Sequence, residues 1–331
     1  MLLTPEYAAN SSQKYAANSS QNFYGLSSQQ DPSTICPPED VIEPCTCTKS
    51  CPVCDALVKC SNILNNDELV RVFNKSSDYV FWNFYIENST FLYIPSDTLV
   101  LKRTRFLYLK NNVMVSLFDK PPPPTNVLKE LELTNLILRT GVRWNIFSSL
   151  INLKELNMTN FIIKKIDKAF LNNFPQGLTG LFLYNTETKT LGDDAFSKFT
   201  KMTRILVRNT RINVLKRSMF SPSPKLVSIT FTGNQISSLP DDMFTDMPLL
   251  RSIDFSDTLL TVLQESVFRS ILPQIGLLYM KGNAIDCNCQ MKWITSMNAF
   301  PYYLETVCQE PKRLQGVSID KLTPSDFNHC E

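Results

Sequence analysis

Histidine and glycine are scarce in this 331-residue chain. It contains a single histidine, His329, and nine glycines. One histidine cannot build a His-ligated metal site, and any triad with a histidine base would depend on that residue alone. Neither of the glycine-rich phosphate-binding motifs, G-x-G-x-x-G and G-x-x-x-x-G-K-[ST], occurs. We therefore predict that the chain is not an enzyme and uses no metal or cofactor.

An excess of charge and long apolar runs are also lacking. The 33 Lys and Arg residues nearly balance the 31 Asp and Glu residues, which gives no bulk attraction to nucleic acid or to an anionic membrane. No apolar run reaches the roughly 18 to 20 residues of a membrane span. A signal peptide is not visible either, because Met1, Leu2 and Leu3 lead directly into Thr, Pro and Glu. We expect neither nucleic-acid binding nor membrane insertion.

The ten cysteines form two terminal clusters. The clusters comprise Cys36, Cys45, Cys47, Cys51, Cys54 and Cys60, and then Cys287, Cys289, Cys308 and Cys330. Even numbers at both ends of a cysteine-free middle indicate two disulfide-stapled caps, and disulfides imply an oxidising compartment. We therefore predict a secreted, extracellular protein.

The cysteine-free middle repeats the template L-x-x-L-x-L-x-x-N-x-L. Nine copies begin 23 to 25 residues apart, at residues 81, 104, 128, 153, 178, 202, 226, 250 and 275. Most copies carry Asn, Thr or Ser at the polar position, but two carry Leu136 and Phe161, with Asn135 and Asn160 one residue earlier. A second register consists of phenylalanines 17 to 19 residues after a start: Phe147, Phe170, Phe196, Phe220, Phe244 and Phe268. We interpret these rings as a buried stack behind a sheet.

This period predicts an α/β solenoid of the leucine-rich-repeat horseshoe type. Each repeat supplies one strand of a concave parallel sheet and a mostly irregular or short-helical segment on the convex side. Nine strands give a face roughly 40 Å long. We divide the chain into a flexible low-complexity tail (1–35), an N-terminal cysteine cap (36–80), the repeats (81–282) and a C-terminal cysteine cap (283–331).

The pattern resembles extracellular leucine-rich-repeat proteins with cysteine caps. The C-terminal residues that carry this resemblance are Asn283-Ala-Ile-Asp-Cys287-Asn-Cys289, Trp293, Cys308, Leu314-Gln-Gly316 and Asp326-Phe-Asn-His-Cys330. The resemblance implies the disulfides Cys287–Cys308, Cys289–Cys330, Cys36–Cys47 and Cys45–Cys60. Cys51 and Cys54 are extra. We favour a local disulfide or loop staple for Cys51-Pro-Val-Cys54 over a redox motif, because no strand–helix pattern surrounds it.

Within that family, the N-terminal cap looks most like that of secreted arthropod proteins named after the non-catalytic subunit of oplophorus-luciferin monooxygenase. The residues concerned are Cys36-Pro-Pro-Glu-Asp-Val-Ile-Glu-Pro-Cys45-Thr-Cys47 and the helix-like Asp67-Glu-Leu-Val-Arg-Val-Phe73. This resemblance implies a partner protein rather than an enzyme.

The third, fifth and seventh positions of each repeat should face solvent on the concave side. The residues expected to contact a partner there are Tyr85, Phe106, Tyr108, Glu130, Glu132, Phe182, Tyr184, Arg204 and Arg208. Exposed aromatic residues are enriched at binding surfaces. We expect an acidic patch, which includes Glu155, about 10 to 15 Å from a basic one, an arrangement that suits a protein ligand with charges of both signs.

Glycosylation sequons in the folded part occur at Asn74, Asn88 and Asn157. A glycan on Asn157 would stand in the middle of the concave face and conflict with an open binding site there.

These features favour a secreted leucine-rich-repeat protein that binds an unidentified protein partner through its concave face. One alternative is a non-catalytic subunit that stabilises a secreted enzyme. Another is a structural component of extracellular matrix or a silk-like secretion, which the Ser-, Asn- and Gln-rich tail favours.

Overall fold

The computed structural model describes residues 35–50 and 55–330. All but the last residue of the predicted tail, and Cys51 and Cys54, lie outside these ranges, so their interpretations stay predictions. Residues 36–331 form one unit, and a sheet of twelve strands is its main element.

Strands are numbered along the chain. The main sheet contains, in spatial order, β1 (Cys45–Ser50), β2 (Asp55–Ser61), β3 (Asn83–Glu87), β5 (Phe106–Lys110), β7 (Glu130–Thr134), β9 (Glu155–Thr159), β11 (Gly180–Tyr184), β13 (Arg204–Arg208), β14 (Ser228–Thr230), β15 (Ser252–Asp254), β16 (Leu277–Tyr279) and β17 (Tyr303–Glu305). β1 and β2 are antiparallel, and every other neighbouring pair is parallel. This confirms the predicted parallel-sheet solenoid.

Burial alternates along each repeat strand because one face of the sheet is covered and the other is not. In β3, Phe84 and Ile86 are fully buried, whereas Tyr85 between them is partly exposed. The same alternation in β5 buries Leu107 and Leu109. The third, fifth and seventh positions of these repeats therefore lie on the uncovered face.

The return segments behind the main sheet are short or irregular, as predicted. Two small parallel sheets lie there, one made of β4 (Thr90–Phe91), β6 (Val113–Met114) and β8 (Ile137–Leu138), the other of β10 (Lys165–Ile166) and β12 (Thr190–Leu191). The α-helices are α1 (Glu39–Ile42), α2 (Asn66–Lys75), α3 (Thr98–Leu101), α4 (Lys168–Asn173) and α5 (Glu265–Phe268). Short 3₁₀ helices span Trp144–Phe147, Arg217–Met219, Cys289–Ser296, Lys312–Leu314, Ile319–Lys321 and Pro324–Phe327.

The predicted phenylalanine stack is buried behind the sheet. All six rings of that register are at most 6% exposed. The stack is not a simple column, however. Phe174 lies 4.7 Å from Phe147 and 4.5 Å from Phe170 between ring centroids, so it links these two rings.

The consensus polar position closes each turn from inside the fold. Asn112, Asn234 and Asn283 are at most 3% exposed, and their side chains bond to backbone groups. The amide of Asn112, for example, donates to the carbonyl of Ile86 at 2.8 Å and accepts from the backbone N–H of Ser89 at 3.0 Å. The Asn112 side chain thus serves the repeat before it, whereas Asn234 and Asn283 serve both their own repeat and the repeat before it.

A different asparagine position ends the strands on the outside. Six asparagines of the described repeats have φ near +50°, the left-handed conformation that asparagine tolerates well: Asn88, Asn111, Asn135, Asn160, Asn185 and Asn209. Asn135 and Asn160 belong to this outer row, and Leu136 and Phe161 fill the inner position with apolar side chains that are at most 5% exposed.

Disulfides hold both ends of the solenoid. The bonded pairs are Cys36–Cys47, Cys45–Cys60, Cys287–Cys308 and Cys289–Cys330, as the resemblance implies. At the N-terminal end, α2 covers the first repeat and buries Leu69, Val72 and Phe73. The N-cap of this helix is Asn65, whose side chain accepts a hydrogen bond from the N–H of Glu68 at 3.0 Å.

Candidate binding face

The uncovered face of β3 to β13 carries the nine residues predicted to contact a partner. Seven of them are half-buried on neighbouring strands, namely Tyr85, Phe106, Tyr108, Glu130, Glu132, Phe182 and Tyr184. Arg204 is also half-buried, and Arg208 is exposed at the end of β13. Because the strands pair in register, Tyr85, Tyr108, Glu132, Asn157 and Phe182 form one row across the sheet.

An aromatic pair lies at the N-terminal end of this row. The rings of Tyr85 and Tyr108 stack with centroids 4.2 Å apart and planes 12° from parallel. The hydroxyl of Tyr108 also donates a long hydrogen bond of 3.4 Å to Glu130. Burial and the neighbouring carboxylates raise the pKa of the Tyr108 phenol, and burial raises that of Tyr85. Both phenols are therefore neutral at physiological pH.

Carboxylates occupy the centre of the face. Glu130 and Glu132 lie on β7. Glu155 lies beside Glu130 on the neighbouring strand β9. Burial, followed by the charges of Glu155 and Glu132, raises the pKa of Glu130 to about 7. Burial also raises the pKa of Glu132. The centre is therefore a site where negative charge is costly until a cation approaches it.

The acidic and basic residues are not two separate patches. Arg204 reaches from β13 across β11 and binds Glu155 at 2.6 Å. Gly180 stands between them, and a Cβ there would come within 2.8 Å of the Phe182 ring. The guanidinium of Arg204 also lies 5.2 Å from the centroid of that ring. The predicted separation of about 10 to 15 Å was wrong for this pair, because a glycine leaves room for a long side chain to cross one strand.

A pH dependence of stability follows from Glu130. Its folded-state pKa of about 7 exceeds the reference value of 4.5, so the folded chain holds this proton more tightly than the unfolded chain. The stabilisation is complete below pH 4.5 and is lost as pH rises towards 7. We expect the free energy of unfolding, measured in urea, to fall by about 1–2 kcal/mol over this window after allowance for solvent screening.

The Glu130→Gln variant should remove that part of the pH dependence. The exposed carboxylate of Glu187 lies outside the face, so Glu187→Gln is the matched control and should leave the slope unchanged. An equal slope in the wild type and in Glu130→Gln would contradict the assignment.

The three sequon asparagines lie in different surroundings. Asn157 is half-buried on the face between Glu132 and Phe182, and its side chain accepts from the Thr159 hydroxyl at 3.2 Å. Asn74 is exposed near the end of α2. Asn88 is exposed where β3 ends.

Sequence reasoning missed a second aromatic group at the C-terminal end of the sheet. The rings of Tyr279 and Tyr303 lie 5.1 Å apart on β16 and β17, and Tyr302 is 85% exposed. Strand β17 belongs to the C-terminal cap and matches no repeat. The adjacent tyrosines Tyr302 and Tyr303 were the available signal in the sequence.

None of the helices in 35–50 and 55–330 is long and apolar enough to cross a bilayer. Within the same ranges, Cys289, His329 and Cys330 lie close enough together to suggest a metal site. The disulfide between the two cysteines removes the thiolates that a metal would need.

Comparisons with known proteins agree with this architecture. Residues 177–283 match the family described as BspA type leucine rich repeat region, in six copies. No curated protein matches the chain. One matching solved structure is titled "Octameric complex of Latrophilin 3 (Lec, Olf), Unc5D (Ig, Ig2, TSP1) and FLRT2 (LRR)". Its matching chain is 18% identical, with a TM-score of 0.59 over 80% of this chain and 88% of that chain.

At 18% identity this similarity shows the fold alone. The family match over residues 177–283 indicates the same fold independently, because it depends on the sequence alone. With its parallel sheet of repeat strands and its disulfide-bonded ends, the chain has a leucine-rich-repeat solenoid fold.

Proposed function

We propose that this protein binds a protein partner outside the cell, through the face of β3 to β13. The observation that carries the proposal is the continuous band of half-buried aromatic and charged side chains from Tyr85 to Arg204. Aromatic residues and arginine are enriched at protein interfaces relative to the rest of the surface. The four disulfides among the described residues support an extracellular location.

The chemistry of the band suggests what the partner presents. The stacked Tyr85 and Tyr108 rings offer flat apolar area with little side-chain entropy left to lose. Glu130 and Glu132 make no ion pair with a described residue, whereas Glu155 is paired with Arg204. A partner segment that places a Lys or Arg side chain beside the tyrosine pair would satisfy both features.

The similar solved structure supports binding as a function of this fold. Its title describes an assembly in which a leucine-rich-repeat part of FLRT2 is combined with Latrophilin 3 and Unc5D. We assign protein binding, but none of those partners, to this chain.

A comparison of captured proteins tests the proposal. The immobilised wild type and the double variant Tyr108→Ala/Phe182→Ala would be exposed to extracellular fluid of the source organism, with Tyr93→Ala as a matched tyrosine control outside the face. We expect the wild type and the control to capture at least one protein in similar amounts. The double variant should capture at least about tenfold less of that protein. Retention of every captured protein by the double variant would contradict a binding role for this face.

The identity of the captured protein would distinguish an accessory-subunit role from a structural role in extracellular matrix. A secreted enzyme whose lifetime or solubility depends on this chain would favour the accessory-subunit role, with no catalysis by the chain itself. Incorporation of the chain into an insoluble fibre, with no face-dependent soluble partner, would favour the matrix role.

A further inference from the structure

We propose that a linear sulfated polysaccharide binds along the edge of the main sheet where the repeat strands begin. The proposal goes beyond the binding of a protein partner through the face of β3 to β13, and the two share only the extracellular location. The residues concerned lie directly before and directly after the buried first position of each repeat, and we call this row of residues the strand-start edge.

Every charged residue of the strand-start edge is a cation. Each of the nine repeats contributes two positions, and seven of these positions are basic while none is acidic. Because the whole chain has 33 basic and 31 acidic residues, random placement would rarely collect so many charges of one sign here. All seven are exposed except the first-strand neighbour Arg105, which is half-buried. The seven residues are Arg103, Arg105, Lys129, Lys154, Lys201, Lys225 and Arg251.

The backbone places these cations one strand apart. The N–H of Lys129 bonds to the carbonyl of Arg105 at 2.8 Å, and the N–H of Lys154 bonds to the carbonyl of Lys129 at 2.7 Å. The same pattern continues through each later repeat up to Arg251. Neighbouring strands are about 4.8 Å apart, so the row follows a line of about 30 Å.

The positive charge of the row is not neutralised by ion pairs. Among the residues that the structure describes, none of the seven cations forms a salt bridge. Burial raises the pKa of Asp55, and the charge of Arg105 opposes that rise without pairing with it. Arg251 uses one nitrogen on the carbonyls of Pro248 and Leu250. The lysines in between can therefore bind an external anion.

The first cation of the aligned row is held in place by an aromatic ring. The guanidinium carbon of Arg105 lies 3.8 Å from the centroid of the Trp82 ring. Stacking of this kind orients the guanidinium plane and leaves its N–H groups free at the rim. Those N–H groups can donate to two oxygens of one sulfate group.

A gap in the row is filled by a neighbouring lysine. The fifth repeat contributes no cation, because its two positions are Gly177 and Thr179. A Cβ on Gly177 would lie 3.0 Å from the Lys154 ammonium group, which also donates to the Gly177 carbonyl at 3.4 Å. The charge of Lys154 thus extends over the fifth repeat, and the row continues to Lys201.

The shape of the row favours a linear polyanion. A lone phosphate ion would use only two or three of these cations, and a bilayer would need cations spread over a surface. In the extracellular space that the disulfides favour, the common linear polyanions are sulfated polysaccharides. Their sulfate esters stay ionised at physiological pH, so each can accept charge-assisted hydrogen bonds from the row.

Neutral variants of two neighbouring lysines test the proposal. The probe is a fluorescently labelled, heparin-derived decasaccharide, and its Kd would be measured by anisotropy at about 0.1 M NaCl. We expect Lys129→Gln/Lys154→Gln to bind it about fivefold to tenfold more weakly than the wild type. The slope of log Kd against log salt concentration should also fall by about one to two, because fewer counterions are released. Both lysines are exposed, so the Tm should stay within about 1 °C of the wild-type value.

Two lysines beyond the other ends of the strands supply the matched control. Lys164 and Lys189 are exposed and lie on neighbouring repeats, since the N–H of Lys189 bonds to the carbonyl of Lys164 at 3.1 Å. Lys164→Gln/Lys189→Gln removes the same charge, but the acidic Glu187 lies among these residues. We expect this variant to bind the decasaccharide within about twofold of the wild type.

Three results would overturn the proposal. An equal loss in the two double variants would show that only the net charge matters. A heparin-derived disaccharide that binds as tightly as the decasaccharide would show that the length of the row has no role. Tighter binding of single-stranded DNA or of phosphatidylserine vesicles than of the decasaccharide would contradict the choice of a polysaccharide.

The variant of the concave face separates this proposal from the proposed function. Tyr108→Ala/Phe182→Ala should bind the decasaccharide like the wild type, and Lys129→Gln/Lys154→Gln should still capture the protein partner. Loss of decasaccharide binding by the face variant would place the polysaccharide on the face and overturn the assignment to the strand-start edge. Decasaccharide binding that depends on Lys129 and Lys154, without any captured protein, would support the polysaccharide site and contradict the proposed function alone.

Discussion

Replacing Phe170 by alanine should lower the free energy of unfolding by about 3–5 kcal/mol, the usual cost of truncating a buried aromatic residue. Phe170 is 1% exposed on α4. Its ring centroid lies 4.5 Å from that of Phe174, 5.1 Å from Trp144 and 5.7 Å from Phe199. A single truncation therefore opens a cavity among three other rings, one in the same return segment and one in each of the two neighbouring segments.

Urea unfolding followed by Trp fluorescence and by circular dichroism would measure this effect. The Phe170→Leu variant keeps most of the volume and should cost less than about 1.5 kcal/mol. Partner capture by Phe170→Ala should be unchanged below its unfolding transition, because the ring lies behind the sheet. A cost below about 1.5 kcal/mol for Phe170→Ala would mean that Phe174 and Trp144 close the space, and that the stack is more deformable than its packing indicates.

The repeats could be predicted because their two registers depend only on the sequence period. Leucines and isoleucines at the strand positions had to be buried, and so did the phenylalanines that follow each start. The residues of the face followed from strand alternation alone, since a side chain next to a buried neighbour in a strand points the other way.

The cap strands escaped prediction because they follow no repeat. β2 has an alternating pattern in which Ala56, Val58 and Cys60 are buried, but its cysteines drew attention to disulfides instead. β17 lies between two cap cysteines and pairs with β16. The sheet consequently has twelve strands where the repeats alone predict nine.

Lys102 shows why single buried polar residues are not predictable from patterns. It is 1% exposed, and its ammonium group donates to the backbone carbonyl and the hydroxyl of Ser76, the residue that ends α2. Burial lowers its pKa to about 8. The sequence around Lys102 does not indicate that this lysine binds a helix end 26 residues away. Ser76 becomes its hydrogen-bond acceptor only when the cap and the first repeats fold together.

The inner polar position illustrates the opposite case, in which sequence variation has a structural explanation. Repeats with Ser or Thr there are followed by a repeat with Asn in three instances, and that Asn completes the earlier turn. Asn112 accepts from the N–H of Ser89, Asn234 from the N–H of Ile212, and Asn283 from the N–H of Thr258. An asparagine in every repeat is therefore unnecessary.

The Asn234→Ala variant should accordingly damage two repeats at once. Asn234 is 3% exposed. Its amide nitrogen donates to the carbonyl of Val207 at 2.9 Å and to that of Phe231 at 3.0 Å. Its amide oxygen accepts from the N–H of Ile212 at 3.2 Å and from the Thr210 hydroxyl. Truncation leaves these buried groups without partners, at about 1–3 kcal/mol each before relaxation. We expect a net loss of about 3 kcal/mol in urea unfolding.

The Asn234→Thr variant is the matched test of this sharing. Threonine occupies the same position naturally at Thr210 and Thr258, but each of those residues bonds to an asparagine in the following repeat. Position 234 is followed by Thr258, which is shorter than asparagine and already donates to the carbonyl of Phe255 at 2.9 Å. A threonine at this position should therefore recover only part of the stability, with a loss of about 1–2 kcal/mol. Full recovery would show that each turn is stabilised within its own repeat, and would contradict the shared role of Asn234.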